Sequence, residues 1–181
     1  NITVKPLTPD LKDDYFDFFE NRAFTDDSPY RCYCQMYQIT KEQNEVFIKD
    51  VLDHADESFD AQQSSKEAAS EQIDSGRLCG YLAFVDGISI GWCNANEKAN
   101  YPIEPCIGES FYAHVEDREK AVICFEIAPK FRRKGVATAL LQRVIADAIT
   151  DGYTAVEGFP VVRDERYEWD WTGPMRLYEK L

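Results

Sequence analysis

The chain has 181 residues, 33 of them Asp or Glu and 20 Lys or Arg, for a formal charge of −13; 44% are hydrophobic and 13% aromatic. That length buries roughly 70% of the unfolded surface and suggests one globular domain over residues 1–181. No run of about 18 apolar residues could cross a membrane, no basic-flanked apolar leader opens the chain, and so acidic a balance argues against general nucleic-acid binding while suiting a cationic small substrate.

Thr3, Val4 and Pro6 open a short strand that ends at the turn Thr8-Pro9-Asp10. Leu11, Tyr15, Phe18 and Phe19 recur at helical spacing and predict a helix ending near Asn21. Residues 25–33 (TDDSPYRCY) carry turn residues and read as loop. A second helix is predicted over Lys41–Phe59, with Ile48, Val51, Leu52, Ala55 and Phe59 on one face. Ser64 and Glu67 form a capping box for a third, which ends at Gly76. Strands at Cys79–Val85 and Ile88–Ala95 flank Asp86-Gly87, a favoured hairpin turn. Residues 97–118 read as mostly irregular. The nearly continuous apolar run Ala121–Ala128 predicts a central strand covered on both faces. Ala137, Leu140, Leu141, Val144, Ile145 and Ala148 then trace an amphipathic helix stopped by Gly152. Another strand is expected at Tyr153–Val161 and a last helix at Met175–Lys180, after Gly173-Pro174. The order of elements gives an α/β sandwich.

Six cysteines stand at 32, 34, 79, 93, 106 and 124. An even number allows three disulfides. Cys79, Cys93 and Cys124 fall in apolar runs, where a thiol acts as a small buried hydrophobe, so the expectation is a reduced, cytoplasmic protein. Cys32 and Cys34 form a CxC, but the two histidines, His54 and His114, lack companions at ligand spacing, and no metal site is expected.

The informative segment is the strand Ala121–Ala128, then Pro129-Lys130-Phe131, then Arg132-Arg133-Lys134-Gly135-Val136-Ala137, then the helix. Gly135 lets the backbone come close to a ligand, and the first N–H groups of the helix, with its dipole behind them, face an anion. The functional reading is a diphosphate site; the plain one is a strand-to-helix turn with solvated basic residues.

This segment, P-x-F-R-R-K-G-V-A-x-x-L-L, resembles the signature of the GNAT superfamily of N-acetyltransferases, Gln/Arg-x-x-Gly-x-Gly/Ala, with Arg132, Gly135 and Ala137 at its fixed positions. The resemblance covers most of the chain. Ile2–Pro6, the 79–95 hairpin and Tyr153–Val161 resemble the family's first, second, third and fifth strands, and residues 172–181 (TGPMRLYEKL) its last helix. Cys32-Tyr33-Cys34-Gln35-Met36-Tyr37 together with Ala155-Val156-Glu157-Gly158-Phe159-Pro160-Val161 is similar to a bacterial branch with a Cys-aromatic-Cys loop. Family members usually continue past the last helix with Gly-Phe and one or two strands. This sequence stops at Leu181 and begins at Asn1, so both ends are expected to be trimmed.

The resemblance implies a mixed sheet flanked by helices, with the fourth and fifth strands splayed to admit acetyl-CoA, and no metal. It implies that the N–H groups of Arg133, Lys134, Gly135, Val136, Ala137 and Thr138, with Arg132, hold the pyrophosphate. The edge of Phe125–Ala128, including Ile127 and Ala128, would bond the pantetheine arm, and a strand N–H near Ile127 would serve the oxyanion. The implied reaction is direct transfer of the acetyl group to a primary amine of a small molecule. Tyr178 matches the general acid. Glu157, in an apolar strand by the cleft, is the candidate base, and Glu126 its rival; desolvation raises either. The family often carries its acid earlier in the fourth strand, where this chain has Ile123 and Cys124. Cys32 and Cys34 admit an acyl-cysteine, yet no His lies close in sequence to activate them. Tyr30, Tyr33, Tyr37 and Trp169-Asp170-Trp171 are either walls of an acceptor pocket or core. The competing readings are a non-catalytic CoA-binding module and an acetyltransferase of protein N-termini or lysines. A homodimer is compatible with the family but not fixed by these residues.

Overall fold

A computed structural model describes residues 1–28, 31–53, 61–102, 118–162 and 170–181. Its sheet has five strands in sequence order, β1 (Thr3–Pro6), β2 (Gly80–Val85), β3 (Ile88–Glu97), β4 (Glu119–Ile127) and β5 (Ala155–Gly158). Neighbours run antiparallel as far as β4, while β4 and β5 are parallel. A parallel pair needs a crossover, and helix α4 (Val136–Thr150) supplies it. The predicted hairpin forms, with Asp86 and Gly87 both at positive φ, the turn whose twist matches its strands.

Alternation along the strands divides the core in two. Leu82, Phe84, Trp92 and Cys124 face helices α1 (Lys12–Asn21) and α3 (Ala61–Asp74), where Tyr15, Phe18, Phe19, Ala69 and Ile73 complete one cluster. Tyr81, Ala83, Cys93, Val122 and Phe125 face the other way onto Val136, Leu140, Leu141 and Val144 of α4. Strand β4 is buried from Lys120 to Phe125, as its apolar run predicts.

Several boundaries differ from expectation. Helix α2 (Lys41–Asp53) opens on a capping box absent from the sequence reading: the Thr40 N–H donates to Gln43 Oε1 at 2.9 Å and the Gln43 N–H to Thr40 Oγ1 at 3.1 Å. Ile48, placed by periodicity on the apolar face, is 48% exposed; Ala55 and Phe59 lie outside the described residues. Helix α3 already includes Ala61, so Ser64 sits inside it and caps nothing. Ala61, Gln62 and Gln63 are good helix formers, and Gln63 bonds Glu67 one turn on. The last helix, α5, is only Met175–Tyr178. The strand expected over 153–161 shortens to β5; beyond Gly158 comes Pro160, which has no N–H for a ladder.

Candidate active site

Strands β4 and β5 pair only from Glu119↔Ala155 to Val122↔Gly158. Just there β4 carries one residue more than β3, Ile123, between the pairs Ala95↔Val122 and Asn94↔Cys124. This bulge bends β4 as β5 ends, and the strands part. Segment 170–174 enters the gap: the Phe125 N–H donates to the Trp171 carbonyl at 2.6 Å. The Tyr178 ring lies against Gly158, where any β-carbon would overlap it. Its hydroxyl donates to the Thr172 carbonyl at 2.6 Å. Burial, with smaller contributions from Cys93 and Asp170, pushes this phenol above the ordinary tyrosine value and keeps it protonated.

At the other end of β4 the basic turn has the conformation its sequence suggests. Arg133 and Gly135 both take positive φ, and Gly135 is the N-cap of α4 without any side-chain cap. The first N–H groups of that helix therefore have no intrahelical partner, and nothing stands within 4 Å of where a Gly135 β-carbon would be. Arg133 and Lys134 are exposed. Arg132 is different: its guanidinium bonds the Ile127 carbonyl at 3.1 Å and Asp26 at 2.5 Å, and lies 3.5 Å from Glu126. It latches the turn to carboxylates. Of the edge assigned to pantetheine, the Phe125 N–H and the Ile127 carbonyl thus have protein partners, and the Ala128 N–H donates across the sheet to Ile90.

Between the turn and segment 170–174 opens a cavity of about 560 Å³. Ala137, Ile127 and Arg132 line it at the turn, Asp170 and Trp171 on the strap, and Met36 and Tyr37 opposite. Glu126 projects into it. Burial pushes the Glu126 carboxyl up to about 7, the nearby Asp26 charge adds to this, and Arg132 offsets only part. Near neutrality this group both accepts and releases a proton.

Three thiols, Cys32, Cys34 and Cys124, share the cavity wall. On β3 and β4, Asn94 stands opposite Cys124 and Trp92 opposite Glu126. The loop of Cys34 is held onto this face twice. The Tyr15 hydroxyl donates to the Tyr33 carbonyl, and Asn94 Nδ2 donates to the Cys34 carbonyl at 3.3 Å. Asn94 Oδ1 accepts from Tyr101 at 2.9 Å and from Gln38 at 3.2 Å. Those two bonds fix which way the amide points, and its Nδ2 also reaches Cys34 Sγ at 3.3 Å. Cys34 itself is only 3% exposed and has φ 53°.

Glu157 lies elsewhere. Its carboxylate is 2.8 Å from Lys98 Nζ, which Glu119 also meets at 3.2 Å; Lys98 is 2% exposed. The pair ties β5 to β4 and to the turn after β3. Of the aromatics, Tyr37 and Trp171 line the cavity, whereas Tyr33 packs on Phe16 and donates to Glu20. Tyr30, Trp169, Cys106, His54 and His114 lie outside the described residues. Sequence reasoning missed Asn94, Trp92, Asp26 and the close approach at Gly158. A polar amide inside the apolar strand 88–95 and a glycine inside 153–161 were the available signals.

The acetyltransferase (GNAT) family description matches residues 9–166. No curated protein matches the chain. Among solved structures, the ribosomal-protein-alanine N-acetyltransferase of Brucella melitensis biovar Abortus 2308 superposes with a TM-score of 0.50 at 14% identity, over 100% of this chain and 90% of that one. A second, described as a probable acetyltransferase, gives 0.50 at 17% identity, over 98% and 87%. Aminoglycoside N-acetyltransferase AAC(6')-Iy with CoA gives 0.46 at 12% identity, over 93% and 95%. At these identities the likeness is one of fold.

Proposed function

The chain belongs to the acetyltransferase (GNAT) family, whose donor is acetyl-CoA, and from that premise we propose that it acetylates a primary amine of a cationic small molecule in the cavity beside Glu126. The observation that carries the reading is the place of Glu126: a carboxyl with a pKa of about 7, in a cavity that also reaches Ala137 at the start of α4.

The turn suits a diphosphate. The N–H groups of residues 133–138 and the positive end of α4 favour the anion, and the open space over Gly135 leaves room for it. A donor arm in the gap competes with the Trp171 carbonyl for the Phe125 N–H. An alkylamine with a pKa near 10.4 arrives protonated. Asp170 and the rings of Tyr37 and Trp171 suit that cation, and ionised Glu126 removes its proton. Tyr178, held protonated by burial, supplies a proton to the departing thiolate after leaving Thr172. Glu157 is committed to Lys98 and takes a structural part.

The test is release of CoA against a panel of polyamines, aminoglycosides, amino acids and lysine peptides. Turnover with small amines, lost in Glu126→Gln, supports the reading. Tight CoA binding with no turnover on any of them favours a non-catalytic module, and turnover on peptides alone favours protein acetylation.

A further inference from the structure

Beside Glu126 stands a second carboxylate, Asp26, to which the proposed acetyl transfer gives no task. It lies in the loop after α1, 106 positions before Arg132, and that loop is firmly held. Ala23 and Phe24 are buried in the core. The Arg22 guanidinium reaches across to β3, donating to the Ser89 carbonyl at 2.7 Å and to Ser89 Oγ at 2.9 Å. Fixed in this way, the loop brings Asp26 onto the turn between β4 and α4, where its Oδ2 meets Arg132 Nη1 at 2.5 Å. Arg132 Nε donates to the Ile127 carbonyl at 3.1 Å. Held at two of its nitrogens, the guanidinium presents the third, Nη2, to Glu126 Oε1 at 3.5 Å, beyond good hydrogen-bond distance.

These distances describe an unequal competition. An arginine fork suits one carboxylate, by two parallel bonds, and here two carboxylates share it. Asp26 has the close contact and Glu126 the distant one. All three side chains are largely buried, so solvent screens their charges little. Asp26 Oδ1 is buried and has no hydrogen-bond partner among the described residues, which leaves negative charge beside Glu126. The other groups around Glu126 do not take the place of the cation. The thiols of Cys32 and Cys34 approach from their loop and that of Cys124 from β4. Arg31 and Asp170 reach the same cavity. Arg31 donates to the Phe24 carbonyl at 3.3 Å, and Asp170 accepts from the Thr172 hydroxyl at 2.8 Å. One cation between two carboxylates neutralises one of them, and burial then favours the protonated form of the other. The Glu126 pKa of about 7 agrees with this arrangement, burial raising it most, Arg132 opposing and Asp26 adding to the rise.

We propose that Asp26 is a positioning residue for proton transfer: by engaging Arg132 it keeps the guanidinium from pairing closely with Glu126, and so preserves Glu126 as the base. This rests on the acetyl-transfer reading of the cavity and adds to it a residue that acts through Arg132 and Glu126. A tight two-bond pair with Arg132 would make the Glu126 carboxylate a poor proton acceptor, since an opposite charge in contact lowers a carboxyl pKa by about 1–3 units. Asp26 takes the short bond instead, and Glu126 keeps the proton affinity that deprotonating an alkylammonium group demands. In that step the ammonium N–H bond breaks and the Glu126 O–H bond forms, while Asp26 and Arg132 exchange nothing. The Arg132 side chain thereby belongs to the base, and the diphosphate is left to the backbone N–H groups of residues 133–138.

The test replaces Asp26 by Asn, which keeps the shape and removes the charge, and separately by Ser, which also removes the contact. Glu126 is followed by carbon NMR of protein labelled at the glutamate side-chain carboxyl, its signal identified by its loss in Glu126→Gln. CoA release is measured from pH 5 to pH 9 with an amine turned over in the panel. The Glu126 titration should move down by about 1–3 pH units in both variants, and the bend in kcat/KM should move with it. A weaker base ionises sooner but pulls less, so the profiles cross: each variant is faster than wild type at pH 5 and roughly tenfold slower at pH 8. Asp26→Glu, which keeps a carboxylate within reach of Arg132, returns both readings towards wild type. In the Arg132→Met background, with no guanidinium left to misplace, Asp26→Asn moves the titration less than half as far. An unmoved titration, a loss of rate equal at every pH, or a full shift in the Arg132→Met background overturns the proposal. Failure of both Asp26 variants to fold overturns it too, making Asp26 a structural latch. A titration that moves as expected in protein that turns over no amine sustains the hold of Asp26 on Arg132 and overturns the acetyl-transfer reading alone.

Discussion

Replacing Glu126 by Gln tests stability and catalysis together, and the two change in opposite directions. In the fold the Glu126 carboxyl ionises at about 7 against an ordinary 4.5, and its side chain is only 17% exposed, so solvent screens it little. A raised acid pKa means that the folded state binds the proton more tightly than the unfolded one. The contribution of this group to stability is therefore highest below pH 4.5, falls as pH rises towards 7, and is flat above. At roughly 1.4 kcal/mol per pH unit, the charged carboxylate costs the fold about 3 kcal/mol at pH 8. Glu126→Gln removes the charge at nearly constant volume. It should gain about 3 kcal/mol at pH 8 and almost nothing at pH 4, which for a domain of this size raises Tm by roughly 6–12 °C at the higher pH. The acetylation rate should fall roughly 10²- to 10⁴-fold, as for loss of a general base. The assay is thermal or urea unfolding of both proteins at pH 4, 6 and 8, beside CoA release. An equal difference in stability at all three pH values, or a less stable Gln variant at pH 8, refutes the argument. It would mean that Arg132 stabilises the carboxylate by more than burial penalises it.

Tyr178→Phe should lower kcat by roughly 10²- to 10⁴-fold with little change in KM for acetyl-CoA, since only the proton donor is lost; full kcat with chemistry rate-limiting would reduce the tyrosine to packing on Gly158. Gly135→Val places a β-branched residue at φ 86° over the anion turn, so KM for the donor should rise, and an unchanged KM would move the diphosphate elsewhere. Lys98→Met leaves Glu119 and Glu157 facing each other without their cation and should cost about 3–5 kcal/mol in urea unfolding. Glu157→Gln should by contrast leave kcat within about tenfold, and a loss as large as that of Glu126→Gln would restore it as the base.

Local signals were enough for the strand, turn and helix from residue 121 to 150, because the run, the glycine and the 3.6-residue period all act within neighbouring residues. They also offered both acidic candidates. Choosing between them was beyond local reasoning. Glu157 is neutralised by Lys98, which comes from the turn after β3, and Glu126 is desolvated by a loop and a strap from opposite ends of the chain. The Thr40–Gln43 box, on the other hand, is legible as T-x-x-Q, while Ser64 and Glu67 match the box pattern inside a helix that has already begun. The widened gap needed pairing information, since neither the bulge at Ile123 nor the ring lying on Gly158 leaves a mark on hydrophobic periodicity.

The most direct measurement for the central claim is kcat/KM for a turned-over amine as a function of pH, with CoA release and acetylated amine counted together. The account predicts matching amounts of both, a tenfold rise per pH unit on the acidic side, and a bend near pH 7 where Glu126 ionises. Acetyl-CoA bound without CoA release on any amine, or a profile that passes pH 7 without bending, would contradict it.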